Sequence, residues 1–491
     1  MTHQAARSRS IRGLSRAMLV AAILIGAVFS PRPGLAQAQR SIREWVNCDP
    51  STDQRDGAAK AFAAAAHNAF TLVVDCPVFI HVGQDVARPI FLDNGVSVLM
   101  TGAGKFIVDN IFIPTFVIAD SSDIRMTGWS VEYIGSMPTT LAAAGYLRAG
   151  VFIAAPGHSP TGAAFNDGVL TPWLAAHRGV VFDRSSGVAT SPWAGPTSTS
   201  AVFFIVGASS NLTITNMSLS APPGAHVAHL IPVCFQTSIG FSPGEHVTAK
   251  SQNDASQVAI PSRISVEGLK IDGAYMGWAG VLEDASFRNI ESLRYGDLQT
   301  ARNADLGGVG KWFAPPHLFY INHSSVSNTH SRHIVIMNVA DHGQRLGIAR
   351  DLTSVNAAGN ALSLKFGADD SVVSNYTSLR PDGVIDVLAA TNLVISGLKG
   401  VYNSAFANDI YPALRFPQDG LHNIVLKDIS IQDTAPVTRV PPIADATYAS
   451  TTNLVLKNVT VAVNRFAPGV SLAPTITGQG VSLDIRQVAP H

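Results

Sequence analysis

Three cysteines in 491 residues are too few for a scaffold built on disulfides. Charge is also scarce, at 14% of residues with a formal net charge of zero. A nucleic-acid binder needs a basic surface for the phosphates, so that class is excluded. Disorder is excluded as well, because 46% of the residues are hydrophobic. Beyond the first thirty-eight residues no run is long and apolar enough to cross a membrane. Helical periodicity is nearly missing, with one convincing instance, "DGAAKAFAAAAHNAF" from Asp56 to Phe70. Alanines dominate its body, and Asp53 or Asp56 is placed to cap its start.

The beginning of the chain reads as a secretory signal. Arg7, Arg9, Arg12 and Arg16 precede an apolar core, "MLVAAILIGAVF", and Ala36 and Ala38 have the spacing a signal peptidase accepts. Cleavage is expected after Ala38, with an uncleaved anchor as the alternative. The expected organisation is a signal peptide over 1–38 and a single domain over 39–491, secreted or periplasmic. In an exported protein Cys48 and Cys76 can pair, which would stabilise by about 3 kcal/mol on the chain-entropy view. Equally, Cys48, Cys76 and Cys234 are small buried residues. No Cys/His spacing resembles a zinc site.

What the chain has in abundance is repetition. "NLTITNMSL" (Asn211), "RISVEGLKI" (Arg263), "HIVIMNVAD" (His333), "NLVISGLKG" (Asn392), "NIVLKDISI" (Asn423) and "NLVLKNVTV" (Asn453) all carry apolar residues at the second, fourth and seventh positions. Weaker copies start at Asp123 and Asp370. Alternation means strands with one face inward, and the two residues before the seventh read as a corner. Recurring strands without helices point to a β-solenoid, in which each coil covers the apolar face of the next. Solenoid ends expose strand edges, so the single helix is read as an N-terminal lid. Two stretches interrupt the repeat, near 146–200 and 295–323, and read as long loops.

A capped alanine-rich helix, an apolar strand and Asn-led strand repeats together resemble the pectate lyase superfamily. The resemblance covers most of the chain after residue 38. It implies a right-handed parallel β-helix that handles polysaccharides in a groove along one sheet. Fold alone does not choose the reaction. Against polygalacturonase-type hydrolases, "AGNALSLKFGA" aligns their lysine with Lys365, but their paired aspartates fall on Gly359 and Asn360. Hydrolysis needs two carboxyl groups, one as acid and one to activate water or attack. Against chondroitinase B and related alginate lyases, Lys365 ends "ALSLK" as their lysine base does, and "LRPDG" places Arg380 on the following run. Alternation turns Leu362, Leu364 and Leu379 inward, with Ser363, Lys365 and Arg380 outward. Those lyases hold calcium through two glutamates, and Ala358 and Asn360 stand there instead. Calcium would need oxygens from Asp369, Asp370 or Asp382; otherwise a protein cation such as Arg345 takes its place.

The expectation is therefore an enzyme that cleaves a uronate-containing polysaccharide by β-elimination, with the cofactor unknown. Lys365 would be the base, Arg380 the charge stabiliser, and His342 a further catalytic group. Asp382, Arg345, Trp278, Trp312 and Arg415 would bind substrate, the tryptophans by stacking on sugar rings. The first alternative is a β-helix glycoside hydrolase drawing carboxylates from Glu283, Asp284, Asp341, Asp369, Asp370 and Asp382. The second is a non-catalytic polysaccharide-binding or adhesion solenoid, on which outward Lys and Arg are solvated charges.

Overall fold

The structure, a computed structural model, describes residues 38–81, 90–109, 115–119, 121–134, 201–206, 209–220, 231–236, 238–239, 258–259, 261–272, 278–280, 282–296, 318–321, 331–346, 363–379, 384–404, 412–416, 420–443, 451–472, 476 and 478–490. The signal segment, most of both interruptions, Trp312, Arg380 and Asp382 lie outside them. Gln39–His491 forms one compact unit.

The repeats are strands, and they stack. Each strand pairs in parallel with its counterpart one coil on, as Leu212, Ile214, Met217 and Leu219 pair with Ile264, Val266, Leu269 and Ile271. All of these side chains are buried, so the second, fourth and seventh positions form the core. The described strands make a sheet of 18 strands and a sheet of nine. The nine-stranded sheet takes one short strand from each coil in chain order, from Ile90–Phe91 to Leu414–Arg415. The chain is a right-handed parallel β-helix. A short antiparallel pair, Ser238–Ile239 with Val258–Ala259, stands apart.

Two corners per coil have a positive φ, five residues apart: Asn211 and Asn216, His333 and Asn338, Asp370 and Asn375, Asn423 and Asp428, Asn453 and Asn458. Asn and Asp tolerate the left-handed region better than other L-residues. Where the second corner is glycine, as at Gly268 (φ +72), the approach is too close for a side chain: a Cβ would lie 2.8 Å from Asn216 Oδ1. One corner was expected, before the seventh position. The other is the lead residue itself. Side-chain amides link the lead corners along the axis: Asn392 Nδ2 donates to Asp370 Oδ1 (2.8 Å), Asn423 to Asn392 (3.0 Å) and Asn453 to Asn423 (2.8 Å).

The helix Arg55–Asn68 covers the first coils with Ala58, Ala61, Phe62 and Ala65, a stripe of helical spacing. Phe62 meets the rings of Phe106, Phe116 and Trp129 at 6.0–6.1 Å inside the coil. Asp53 Oδ1 accepts the Arg55 N–H, and Asp56 sits in the first turn. Cys48 and Cys76 form a disulfide across 28 residues, tying the segment before the helix to the first coil. No helix among the described residues is long and apolar enough to cross a membrane.

Replacing both Cys48 and Cys76 by Ser is expected to lower stability by about 3 kcal/mol, read from the urea midpoint under oxidising conditions. Asn423→Ala breaks two ladder bonds and leaves a Cβ residue at φ 57 without its side-chain amide. The expected loss is about 1–3 kcal/mol. An unchanged midpoint would mean that the ladder carries no stability.

Candidate functional site

The coil passes from the large sheet into the nine-stranded sheet through the long connections Tyr133 to Ala201, Gly296 to Phe319, Leu346 to Leu364 and Tyr402 to Leu414. Exits back to the large sheet range from short, as from Phe366 to Ala368, to long, as from Gln236 to Ser262. The long connections begin or end at the nine-stranded sheet, which makes that sheet the place to look for a site.

Three successive strands of this sheet share an apolar–charged–apolar pattern: Leu364-Lys365-Phe366, Ile385-Asp386-Val387 and Leu414-Arg415-Phe416. The apolar members are all buried in the core. Register puts Lys365 beside Asp386, and Asp386 beside Arg415. The three charges therefore form one row along the helix axis, with about 4.8 Å from strand to strand. Arg415 grips Asp386 with both ends of its fork: Nε donates to Oδ1 at 2.8 Å and Nη2 to Oδ2 at 2.5 Å. Asp386 is 1% exposed, whereas the Arg415 side chain keeps 22% of its surface. Burial pushes the Asp386 carboxyl above the ordinary aspartate range, against the Arg415 hydrogen bonds and the charges of Arg415 and Lys365.

Asp386 was not foreseen. Its signal is a lone acid inside the apolar run "VIDVLAA", at the same register as Lys365 and Arg415. Arg415, expected as a substrate-binding residue, lies in the sheet as the partner of that acid.

Other expectations are corrected. Ser363 does not point outward: it is buried, and its hydroxyl donates to Asp341 Oδ2 (2.6 Å) and lies 2.7 Å from the Tyr376 hydroxyl. That buried knot joins the large sheet to the start of the Lys365 strand. Leu379 is 41% exposed, not inward, because the inward positions at the end of Ser371–Ser378 are Tyr376 and Ser378, so alternation turns Leu379 out. Register gives Lys365 the neighbours Tyr320 and Asp386, so the residue one coil on is Asp386, not Arg380. His342 belongs to the large sheet, where its Nε2 is 3.3 Å from Glu291 Oε1 and Glu291 pairs with Lys270 at 3.4 Å. It does not join the Lys365 row. Trp278 is not in a loop: it starts the strand Trp278–Gly280, in the register column of the buried Phe319, Leu364, Ile385 and Leu414. Arg345 lies in the strand Ser331–Leu346 opposite Tyr295.

The alternative carboxylates are engaged in the scaffold. Glu283 pairs with Arg332, Asp284 with His333, and Asp341 with Ser363. Asp369 Oδ1 accepts the Thr391 N–H at 2.7 Å, and Asp370 accepts from Asn392. Among the described residues no three His, Cys, Asp or Glu side chains are grouped to hold a metal ion. Asp369 and Asp370, named above as possible calcium ligands, are corner residues.

An acid whose folded-state pKa lies above its unfolded value binds more protons when folded. Its contribution to stability therefore falls as pH rises through that window. Arg415→Ala leaves the buried Asp386 without its guanidinium and is expected to cost about 3–5 kcal/mol at neutral pH. The unfolded value is common to both proteins, so the loss should shrink on acidification between the Asp386 folded-state pKa of the variant, which lies higher still without Arg415, and that of the native protein, below which both carry the protonated acid. Asp386→Asn should cost less than Arg415→Ala at neutral pH. Urea midpoints across the acid-to-neutral range check both, and a pH-independent Arg415→Ala loss would contradict the assignment.

No protein-family model matches the chain, and no curated protein matches it in sequence. Solved structures with a similar backbone include the tailspike protein of E. coli bacteriophage HK620 in complex with pentasaccharide, at 10% identity and TM-score 0.48, over 92% of this chain and 67% of that one. The A-module of Azotobacter vinelandii mannuronan C-5 epimerase AlgE6 is similar at 11% identity and TM-score 0.39, over 92% of this chain and all of that module. PfbA, a surface adhesin of Streptococcus pneumoniae, is similar at 10% identity and TM-score 0.42, over 92% and 91%. Likeness at this level says nothing about chemistry, and the β-helix rests on the strand register described above.

Proposed function

We propose that the protein is an exported enzyme that cleaves a uronate-containing polysaccharide by β-elimination at the nine-stranded sheet. The observation that carries this reading is the row Lys365–Asp386–Arg415. Its two cations flank one buried acid, whose oxygens Arg415 meets with two hydrogen bonds. An extended acidic polymer is the ligand such a row suits.

Elimination removes the proton next to the uronate carboxylate, and negative charge builds on that carboxylate as the proton leaves. A fixed cation lowers the barrier only if it is already in place. Arg415 meets that need, because Asp386 holds its guanidinium from behind with two hydrogen bonds. Lys365, one strand from Asp386, is the group proposed to take the proton, which it does as the neutral amine after giving its own proton to solvent. The oxygen of the glycosidic bond then leaves as the double bond forms. Arg380 stays a proposed second cation on sequence grounds. Hydrolysis fits less well, since the row holds one carboxylate and both of its oxygens are bound to Arg415.

Incubation with a panel of uronate polysaccharides should raise ultraviolet absorbance as unsaturated uronate ends form. Lys365→Ala should lower that rate by about 10²–10⁴-fold while the thermal melt stays in place. Arg415→Lys should keep binding but lose rate, because an ammonium cannot hold the bidentate geometry. Reducing ends without absorbance would replace elimination by hydrolysis. Retardation in a polysaccharide gel without turnover would make the protein a binder. Full turnover in Lys365→Ala would remove that residue from the chemistry.

A further inference from the structure

Gln39 is the first residue of the compact unit and of the strand Gln39–Ser41, which pairs in parallel with Thr71–Val74. Side chains of Arg40, Ser41 and Arg43 pin this strand in place. The Arg40 guanidinium lies 4.7 and 5.0 Å from the ring centres of Trp45 and Phe70, which stack at 5.9 Å. The Ser41 hydroxyl and Arg43 Nε both donate to the Asp75 carboxylate, at 2.9 and 3.0 Å. Gln39 itself stays exposed. The expected cut after Ala38 would make this exposed glutamine the N-terminal residue.

We propose that Gln39 of the exported protein is converted to pyroglutamate. The proposal rests on the reading of export and is independent of the polysaccharide chemistry. The α-amino nitrogen attacks the side-chain carbonyl carbon Cδ, and a five-membered lactam forms. The Cδ–Nε2 bond breaks, and the side-chain nitrogen leaves as ammonia, taking its proton from the amine. Electrons balance without an oxidant or a co-reactant.

Local chemistry favours the step. An α-amine has a pKa of about 7.7–8.0, so part of it is the neutral nucleophile near neutral pH. The exposed side chain can close its ring without displacing a packed neighbour. Arg40 and Arg43 hold Glu44 and Asp75, so neither carboxylate is taken up by the terminal amine. Cyclisation then denies aminopeptidases a free amine.

The test is the intact mass and stepwise N-terminal degradation of the full chain, recovered after export. The expected mass is that of residues 39–491 less one ammonia, with an N-terminus blocked to degradation until a pyroglutamyl peptidase has acted. Gln39→Ala, exported in the same way, should show a free alanine and no loss of ammonia. A free Gln39 amine would overturn the cyclisation and leave the cut after Ala38 standing. A chain that keeps its leader, or starts at another residue, would overturn both.

Discussion

Each coil turns where a residue accepts a left-handed backbone, and the positions of those residues determine the rest of the molecule. Two such corners five residues apart fix the length of the straight segment between them. Side-chain amide ladders hold equivalent corners above one another. A strand therefore has no freedom to slip against its neighbour. A slip of one residue would exchange the faces of the strand. On the nine-stranded sheet it would drive Asp386 into the core beside Leu388 and put Ile385 outside. The straight charged row is a product of corners on the other sheet.

Two buried aspartates show how differently this scaffold treats negative charge. Asp433 is fully buried and surrounded by neutral donors: the Ser404 and Ala435 amides, the Ser404 hydroxyl and the Thr438 hydroxyl. Dipoles of one corner satisfy it completely, as a structural carboxylate requires. Asp386 is equally hidden, but its two oxygens face a guanidinium from the next coil. A buried ion pair is a poor way to gain stability, because desolvating both charges offsets most of their attraction. What it does supply is a cation fixed in direction, with part of its surface toward solvent. Stability alone would favour the Asp433 arrangement.

Much of the fold is legible in the sequence. Left-handed corners restrict residue choice so strongly that Asn, Asp and Gly mark them along the chain, and the alternation beside them gives the inward face. The helical lid shows in its alanines, and one of the two cysteine readings, the Cys48–Cys76 pair, is what the structure contains. The site is only half legible, because neighbours in a solenoid are set by coil length, which varies. The step from corner to corner is 49 residues between Asp284 and His333 and 22 between Asp370 and Asn392. Sequence order pairs Lys365 with the next cation along the chain, Arg380, whereas its axial neighbour is Asp386. Ser363 takes the wrong face when alternation is extended past the start of its strand, and Leu379 does so because the inward phase falls on Tyr376 and the polar Ser378 rather than on the leucine.

The same corners decide which polar residues need a functional explanation. Asp369, Asp370, Glu283, Asp284 and His333 attract attention in the sequence as an acidic and basic cluster. Each is engaged at or beside a corner, with Thr391, Asn392, Arg332, His333 and Asp284 as respective partners. Removing the residues that the turns require leaves charged groups on straight strand segments of both sheets, among them the pairs Lys270–Glu291 and Asp272–Arg294 on the large one. On the nine-stranded sheet Lys365, Asp386 and Arg415 stand on successive strands. A charge on a straight strand segment, flanked by two core residues, contributes nothing to a turn, and the proposed function gives it a ligand that runs along three consecutive coils.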